Sequence, residues 1–336
     1  MTVVPELERI RGVKAAPWAE YYTSGHRTCQ GCDSAIGIRY IAKAIGPRSI
    51  VTGSTGCMYV ANTSYYCTPW VVPWMHTQLG SSGSAALGNA AGIKAQMRKG
   101  KIKKEGINIV SICGDGGGAD MGLSAISATL TWPEYNCLIL MYDNESYANT
   151  DIQVSGTTPY GAATTFSPTG GKVVPILHKR WKKNMPGLIA AGHPDCRYVA
   201  TACTAYPIDL MNKVRKALSI GGPTFINTLN PCPKGWDFDP KFSRELAELA
   251  CKTGMWALWE MIDGKLTYSP PTAAIARKQA KRLPVRDYLK RQGRFHHFTD
   301  KEYDYVQKRI DEVWDSQKWS IPGVLPFYVE PSELGK

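Results

Sequence analysis

The sequence predicts an α/β fold in which helices cover both faces of a mostly parallel sheet. Short runs rich in Ile, Val and Leu, such as Asn108 to Cys113 and Asn136 to Tyr142, end at once in small or polar residues. That is the pattern of strands buried on both faces. Segments with helical spacing of their apolar residues separate such runs, and alternating strands and helices indicate a parallel sheet. A length of 336 residues gives room for one large domain with an appendage and a sizeable core.

The elements follow in order. Ser49 to Thr52 reads as a strand that runs into the flexible turn Gly53 to Cys57. Ser81 to Met97, rich in Ala and Gly, suits a helix packed closely on the sheet. Asn108 to Cys113 is the next strand, Met121 to Thr131 the crossover helix, and Asn136 to Tyr142 the strand it leads to. A right-handed crossover sets the two carboxyl ends side by side, where open α/β sheets bind ligands. Arg197 to Ala202 reads as a further strand, and Asp209 to Ser219 as a helix stopped by Gly221-Gly222-Pro223. Thr224 to Leu229 is then a strand that delivers Cys232.

These elements assign residues 1–268 to one α/β domain. From Ser269 the composition changes to Pro270-Pro271, the basic runs Ala276 to Arg282 and Asp287 to Phe295, an amphipathic helix over Lys301 to Trp319, and a Pro-containing tail. Residues 269–336 are read as a helical arm that contacts partner subunits, with a solvated helical tail as the alternative. There is no internal repeat and no low-complexity tract.

The two central strand ends carry the candidate chemistry. The first runs into Gly114-Asp115-Gly116-Gly117-Gly118, the second into Asp143-Asn144-Glu145-Ser146-Tyr147-Ala148-Asn149-Thr150. Glycines let a backbone approach a phosphate, and the following helix offers free N–H groups and a positive dipole end to a diphosphate. Asp115 and Asn144 are hard oxygen donors of the kind Mg²⁺ favours when it shares its shell with phosphates. The plainer alternative is a Gly-rich turn in which Asp115 only caps a helix.

The ten cysteines give an independent indication. The N-terminus lacks an apolar signal core and no segment has the length of a membrane span, so a cytoplasmic chain with reduced thiols is expected. There a CxxC pair points to metal binding or redox chemistry. Cys29-Gln30-Gly31-Cys32 is such a pair, Cys57 follows a glycine turn, and Cys232 lies between prolines. Four thiolates in turn-like contexts can hold tetrahedral zinc or a [4Fe–4S] cube. One CxxC with two scattered single cysteines favours the cube over a zinc ribbon. Cys113, Cys137, Cys196, Cys203 and Cys251 read as small buried hydrophobes; Cys67 has no partner at ligand spacing.

The string GDGGGADMGLSAIS, followed by YDNESYANTDIQVSGTTPYGA, resembles the thiamine-diphosphate motif of the β subunit of the pyruvate:ferredoxin, or 2-oxoacid:ferredoxin, oxidoreductase family. The similarity extends from about Tyr21 to Trp236 and includes HRTCQGCDSAIG and NPCPKGW. The resemblance implies thiamine diphosphate bound along Gly114, Asp115, Gly116 and Gly117. It implies Mg²⁺ held by Asp115, Asn144 and the Ser146 carbonyl. It sets Asn149 and Thr150 against the cofactor and its substrate adduct, with Asn149 catalytic. It also implies a [4Fe–4S] cluster on Cys29, Cys32, Cys57 and Cys232.

The activity implied is oxidative decarboxylation of a 2-oxo acid to acyl-CoA, with single electrons passed to ferredoxin or a similar acceptor. Pyruvate is the first expectation. The aromatic stretch from Tyr65 to Trp74, more often core than pocket, keeps branched and aromatic acids open. Thiamine enzymes also need a glutamate near the aminopyrimidine ring, and in this family companion chains supply it together with further clusters. The subunit is therefore expected to be catalytically incomplete alone.

The formal net charge of +12 raises nucleic acid as a partner, most of all through Lys179 to Lys183 and Arg277 to Arg294. No nucleic-acid motif accompanies the charge, and acidic partner subunits, ferredoxin or the phosphates of coenzyme A account for it equally well. His26, beside the CxxC, and His76 carry no assigned acid–base role. Two further readings stand beside the redox subunit: a non-redox thiamine-dependent subunit with structural zinc, and a basic binding protein with a cysteine-held metal.

Overall fold

The computed structural model describes residues 7–63, 68–171 and 176–315. Its strands are β1 (Ser49–Ser54), β2 (Trp74–Thr77), β3 (Asn108–Gly114), β4 (Cys137–Asp143), β5 (Tyr198–Cys203), β6 (Pro223–Leu229), β7 (Trp259–Ile262) and β8 (Lys265–Tyr268). They form one eight-stranded sheet in the order β2-β1-β3-β4-β6-β5-β7-β8. All pairings from β2 to β5 are parallel, and β7 and β8 close one edge as an antiparallel hairpin. Asp263-Gly264 turns that hairpin with φ of 47° and 78°, the two-residue turn Asp-Gly favours. Its local signal is present in the sequence, yet the composition-based reading passes over it.

The helices lie on both faces because the strand residues alternate between them. Val110, Ile112, Leu138, Leu140 and Tyr142 pack under α1 (Asp33–Ile45), the short α2 (Cys57–Val60) and α6 (Pro207–Ile220). Ile109, Cys113, Cys137, Ile139 and Met141 pack under α3 (Ser82–Arg98), α4 (Leu123–Thr129) and α5 (Met185–Gly192). Fully burying each such Val, Ile or Leu contributes about 1.5–3 kcal/mol. α3 can lie close because Gly83 leaves no room for a side chain, where a Cβ would come within 2.4 Å of the Ala125 carbonyl. Cys113, Cys137, Cys196, Cys203 and Cys251 are buried and free, so they sit as the small hydrophobes the sequence suggests.

One expectation changes. The crossover predicted as one helix over Met121 to Thr131 begins as a π-helical turn, Gly116–Met121, and becomes α-helical only at Leu123. Gly122 makes that join, as a Cβ there would meet the Gly117 carbonyl at 2.2 Å. Wide turns of this kind concentrate at functional sites.

The C-terminal segment folds back on the domain as far as it is described. α7 (Pro233–Trp236), α8 (Ser243–Thr253), α9 (Thr272–Ala276), α10 (Val285–Leu289) and α11 (Asp300–Asp315) follow in order. Val285, Leu289, Phe295, Val306 and Ile310 share an apolar cluster with Leu229, Trp236, Leu246 and Ala250. The end of the predicted helix, past Asp315, lies outside the described residues, as do Tyr65, Tyr66 and Cys67. Of the remaining aromatic stretch, Trp70 and Val72 are core residues.

Candidate functional site

β1 and β3 are neighbours whose chains depart in opposite directions, β1 toward β2 and β3 toward β4. Ligands bind at such a switch point, beyond the carboxyl ends of the strands. A cavity of about 70 Å³ opens there. Its walls come from the ends of β1 (Thr55, Gly56), β3 (Gly114 to Gly117) and β4 (Asn144 to Thr150). Gly117 keeps it open, because a Cβ would stand 2.7 Å from Ser54 Oγ and 3.0 Å from the Leu79 carbonyl.

Asp115 does not cap the helix that follows it. Its carboxylate instead accepts hydrogen bonds from Ser155 Oγ (2.5 Å) and Thr157 Oγ1 (2.9 Å). Burial, with Asp143 adding, pushes its pKa up to about 8, although the two hydroxyls and Lys182 offset part of this. A carboxylate so starved of water gains most from a bound cation.

The loop after β4 turns on Glu145, whose φ of +64° is rare for a side chain with a Cβ. That turn brings three polar groups together. One terminal atom of the Asn144 amide lies 2.7 Å from the Ser146 carbonyl and 3.0 Å from Asp115 Oδ1. As nitrogen, this atom donates to both oxygens. As oxygen, it completes a triangle of acceptors, and the edge of an octahedral Mg²⁺ shell with ~2.05 Å bonds is about 2.9 Å. The two edges that run from Asn144 therefore have the length that neighbouring oxygen ligands of Mg²⁺ would need. Asn149 and Thr150 are exposed at the cavity rim.

Buried charges that sequence reasoning passes over hold this loop. Lys182 bridges Asp143 (2.7 Å) and Glu145 (2.8 Å). Arg294, only 4% exposed, reaches Glu145 at 2.5 Å and lies 4.1 Å over the Trp236 ring. Burial would raise the Glu145 pKa, but the two cations outweigh it and hold the carboxyl below its ordinary value. The best candidates for a nucleic-acid surface thus supply two internal counter-charges. Their runs are basic in the sequence, and only the fold turns these members inward. Ser155 and Thr157 lie in the string that carries the resemblance, but no local pattern assigns them a role.

The four cysteines at turn positions come from three parts of the chain and lie near enough to perturb one another's thiols. Cys29 is exposed and Cys32, Cys57 and Cys232 are half-buried. Burial pushes Cys32 up to about 12, with Cys232, Asp33 and Cys29 adding to it. Burial and then Cys232, Cys32 and Cys29 likewise raise Cys57. Cys232 is raised by burial too, against an N–H donated by Gly235 at 3.2 Å. Among the described residues, no group of three or more His, Cys, Asp or Glu side chains gathers closely enough to hold one metal ion. Four sulfurs around one zinc would stand about 3.8 Å apart.

Asp33 ties the cysteine-bearing segments to each other, accepting from Thr204 Oγ1 (2.7 Å) and Asn230 Nδ2 (3.0 Å). Trp236 Nε1 donates to the Asn144 carbonyl at 2.8 Å, joining the Cys232 loop to the Asp115–Asn144 cavity. Cys57 itself lines that cavity. His76 meets Thr55 Oγ1 at 3.0 Å, one step behind the wall, while His26 bonds Thr28 and stacks on Tyr22.

The chain is similar to known proteins. Residues 54–228 match the family described as thiamine pyrophosphate enzyme, C-terminal TPP binding domain. The pyruvate synthase subunit PorB of Methanocaldococcus jannaschii is 46% identical over 300 residues, covering 88% of this chain and 96% of that one. The ketoisovalerate oxidoreductase subunit VorB of Pyrococcus furiosus is 37% identical over 311 residues, covering 93% and 96%. A solved 2-oxoglutarate:ferredoxin oxidoreductase from Magnetococcus marinus shares the fold, with a TM-score of 0.51 at 19% identity over 90% of this chain and 99% of that one.

Proposed function

The chain belongs to the β subunits of the 2-oxoacid:ferredoxin oxidoreductase family, the thiamine-pyrophosphate-binding subunits of multi-subunit enzymes, and we propose that it carries thiamine diphosphate, Mg²⁺ and one [4Fe–4S] cluster at a shared active site. The reaction is oxidative decarboxylation of a 2-oxo acid. Carbon dioxide leaves, the acyl group passes to coenzyme A, and two electrons depart singly toward ferredoxin or a similar acceptor. Pyruvate is the first substrate to test, and branched and aromatic 2-oxo acids follow.

Thiamine diphosphate, when bound, supplies the carbanion-stabilising chemistry of decarboxylation, and the cluster accepts single electrons. The chain's own residues do the rest. Asp115, Asn144 and the Ser146 carbonyl hold Mg²⁺; Gly116 and Gly117 let the diphosphate approach the backbone. Asn149 and Thr150 stand at the rim for the cofactor's reacting end and the substrate. Cys29, Cys32, Cys57 and Cys232 ligate the cluster.

One observation carries this reading. Cys57 belongs to the thiol group and also lines the cavity that Asp115 and Asn144 close, so the two centres are neighbours. Cys32, Cys57 and Cys232 each lie near enough to other thiols of the set to be perturbed by them. One CxxC with two single cysteines from dispersed loops favours a four-iron cube over structural zinc. A cavity of about 70 Å³ equals roughly two water volumes. It takes a cation and phosphate oxygens and leaves the rest of a thiamine outside, to be covered by a companion subunit. That companion also supplies the pyrimidine-side glutamate and further clusters, and residues 269–336 are the segment we assign to contact with it.

Anaerobic co-purification with the companion subunits tests the proposal. The expected result is about four irons per chain, as one cube requires, bound thiamine diphosphate, and activity with one class of 2-oxo acid. Cys232→Ser should impair cluster reduction while leaving cofactor binding largely intact. One zinc and no iron would refute the redox reading and favour the non-redox subunit.

A further inference from the structure

We propose that the chain carries a second ligand site, at the end of the sheet opposite the cofactor cavity, which takes a small amphipathic carboxylate. The site is a cavity of about 290 Å³ between the last turns of α3 and the starts of β3 and β4. Nothing in the catalytic reading uses it.

Its chemistry has two parts. Ala90, Ile93, Met97, Ile107 and Tyr135 line it with apolar surface, which a hydrated ion alone would leave unused. The polar part is positive. Lys94 extends over the Tyr135 ring at 4.7 Å and donates to the Glu134 carbonyl. Glu105, the one acid in the lining, is already paired with Arg48. Arg98 and Lys104 are exposed at the cavity and enter no ion pair found among the described residues.

Asn136 adds a polar wall, and its Oδ1 accepts from Gly222 N at 2.6 Å, which holds the side chain in place.

Apolar walls and unpaired cations together select an anion with an apolar body. A volume of about 290 Å³ holds roughly ten non-hydrogen atoms at water-like density. Phosphate lacks the body and a neutral hydrocarbon lacks the head. A short branched or aromatic acid has both.

Phenylacetate is a suitable probe because it has the right size and cannot be turned over as a 2-oxo acid. Calorimetric titration of the full-length chain, with thiamine diphosphate and Mg²⁺ in excess, should give saturable binding with a Kd in the millimolar range or tighter, as about ten atoms provide. Phenylacetamide, equal in shape but uncharged, should bind at least about tenfold more weakly. Arg98→Glu with Lys104→Glu, both on the surface, should weaken phenylacetate by at least about tenfold, and Arg98→Lys should keep the affinity within about threefold. No saturable binding, equal binding of the amide, or an affinity unmoved by the double charge reversal would each overturn the proposal. Displacement by thiamine diphosphate would also overturn it, because the probe would then occupy the cofactor cavity.

Discussion

Replacing Arg294 by methionine deletes a guanidinium and keeps an apolar stem in its place. The side chains of Arg294 and Glu145 are 4% and 7% exposed and meet at 2.5 Å. Removing one partner of a buried pair costs about 3–5 kcal/mol, because the other charge stays buried. Lys182 still holds Glu145 at 2.8 Å, which places the loss at the lower end, about 3 kcal/mol. For a chain of 336 residues, at about 2.1 cal/mol/K of unfolding entropy per residue, that lowers Tm by roughly 4 °C.

The same loss should reach the cofactor. Glu145 is the positive-φ residue between Asn144 and Ser146, so loosening its carboxylate disorders two of the three oxygen donors. Binding of Mg²⁺ and thiamine diphosphate, followed by tryptophan fluorescence, should weaken at least about tenfold, or ~1.4 kcal/mol. Adding Glu145→Gln to Arg294→Met removes the stranded charge and should restore more than half of the lost Tm. A single variant with unchanged Tm and cofactor affinity would refute the reasoning. So would a double variant less stable than the single one.

Other perturbations test separate parts of the site. Asp115→Ala removes the carboxylate oxygen beside the Asn144 amide. Equilibrium dialysis should then find neither Mg²⁺ nor cofactor bound, and full occupancy would contradict the assignment. Gly117→Ala places a methyl 2.7 Å from Ser54 Oγ and 3.0 Å from the Leu79 carbonyl. Overpacking of about 1–3 kcal/mol should appear as a 5- to 100-fold or so loss of cofactor affinity with the cysteine site intact, and unchanged affinity would show that the diphosphate does not enter there. Glu20 is held at a pKa of about 2 by Arg39 first and also by Lys43, against partial burial. Its folded value lies below the ordinary 4.5, so its stabilisation is complete above that pH and lost as the pH falls toward 2. Solvent screening limits it to about 0.5–1 kcal/mol, and in Glu20→Gln that part of the acid-range slope in Tm should vanish.

Much of the fold was legible because its signals are local. Asn108 to Cys113 and Asn136 to Tyr142 declare buried strands by composition, and the structure pairs them in parallel with Gly114 opposite Tyr142. The crossover helix was legible in place but not in kind, since a π-helical start depends on what Gly116 and Gly117 must avoid. The hairpin β7–β8 and the helix Asp33–Ile45 passed unread, one too short for a periodic signal and the other following directly on the cysteine pair.

The alternation of strands and helices, the glycine turn with its two oxygen-bearing strand ends, and the cysteines that stand at turns are readable from the chain alone. These depend on side-chain periodicity and backbone freedom within a few residues, and such physics is written locally. What those residues face depends on contacts between segments far apart in the chain. Glu145 meets Arg294 across 149 residues of chain, and Asp33 meets Asn230 across 197. Lysine and arginine runs look alike whether they end in water or in the core, and pairing with Asp143 and Glu145 is what holds Lys182 and Arg294 inside. Strand order set Cys57 against the cavity of Asp115, which makes two separate motifs neighbours.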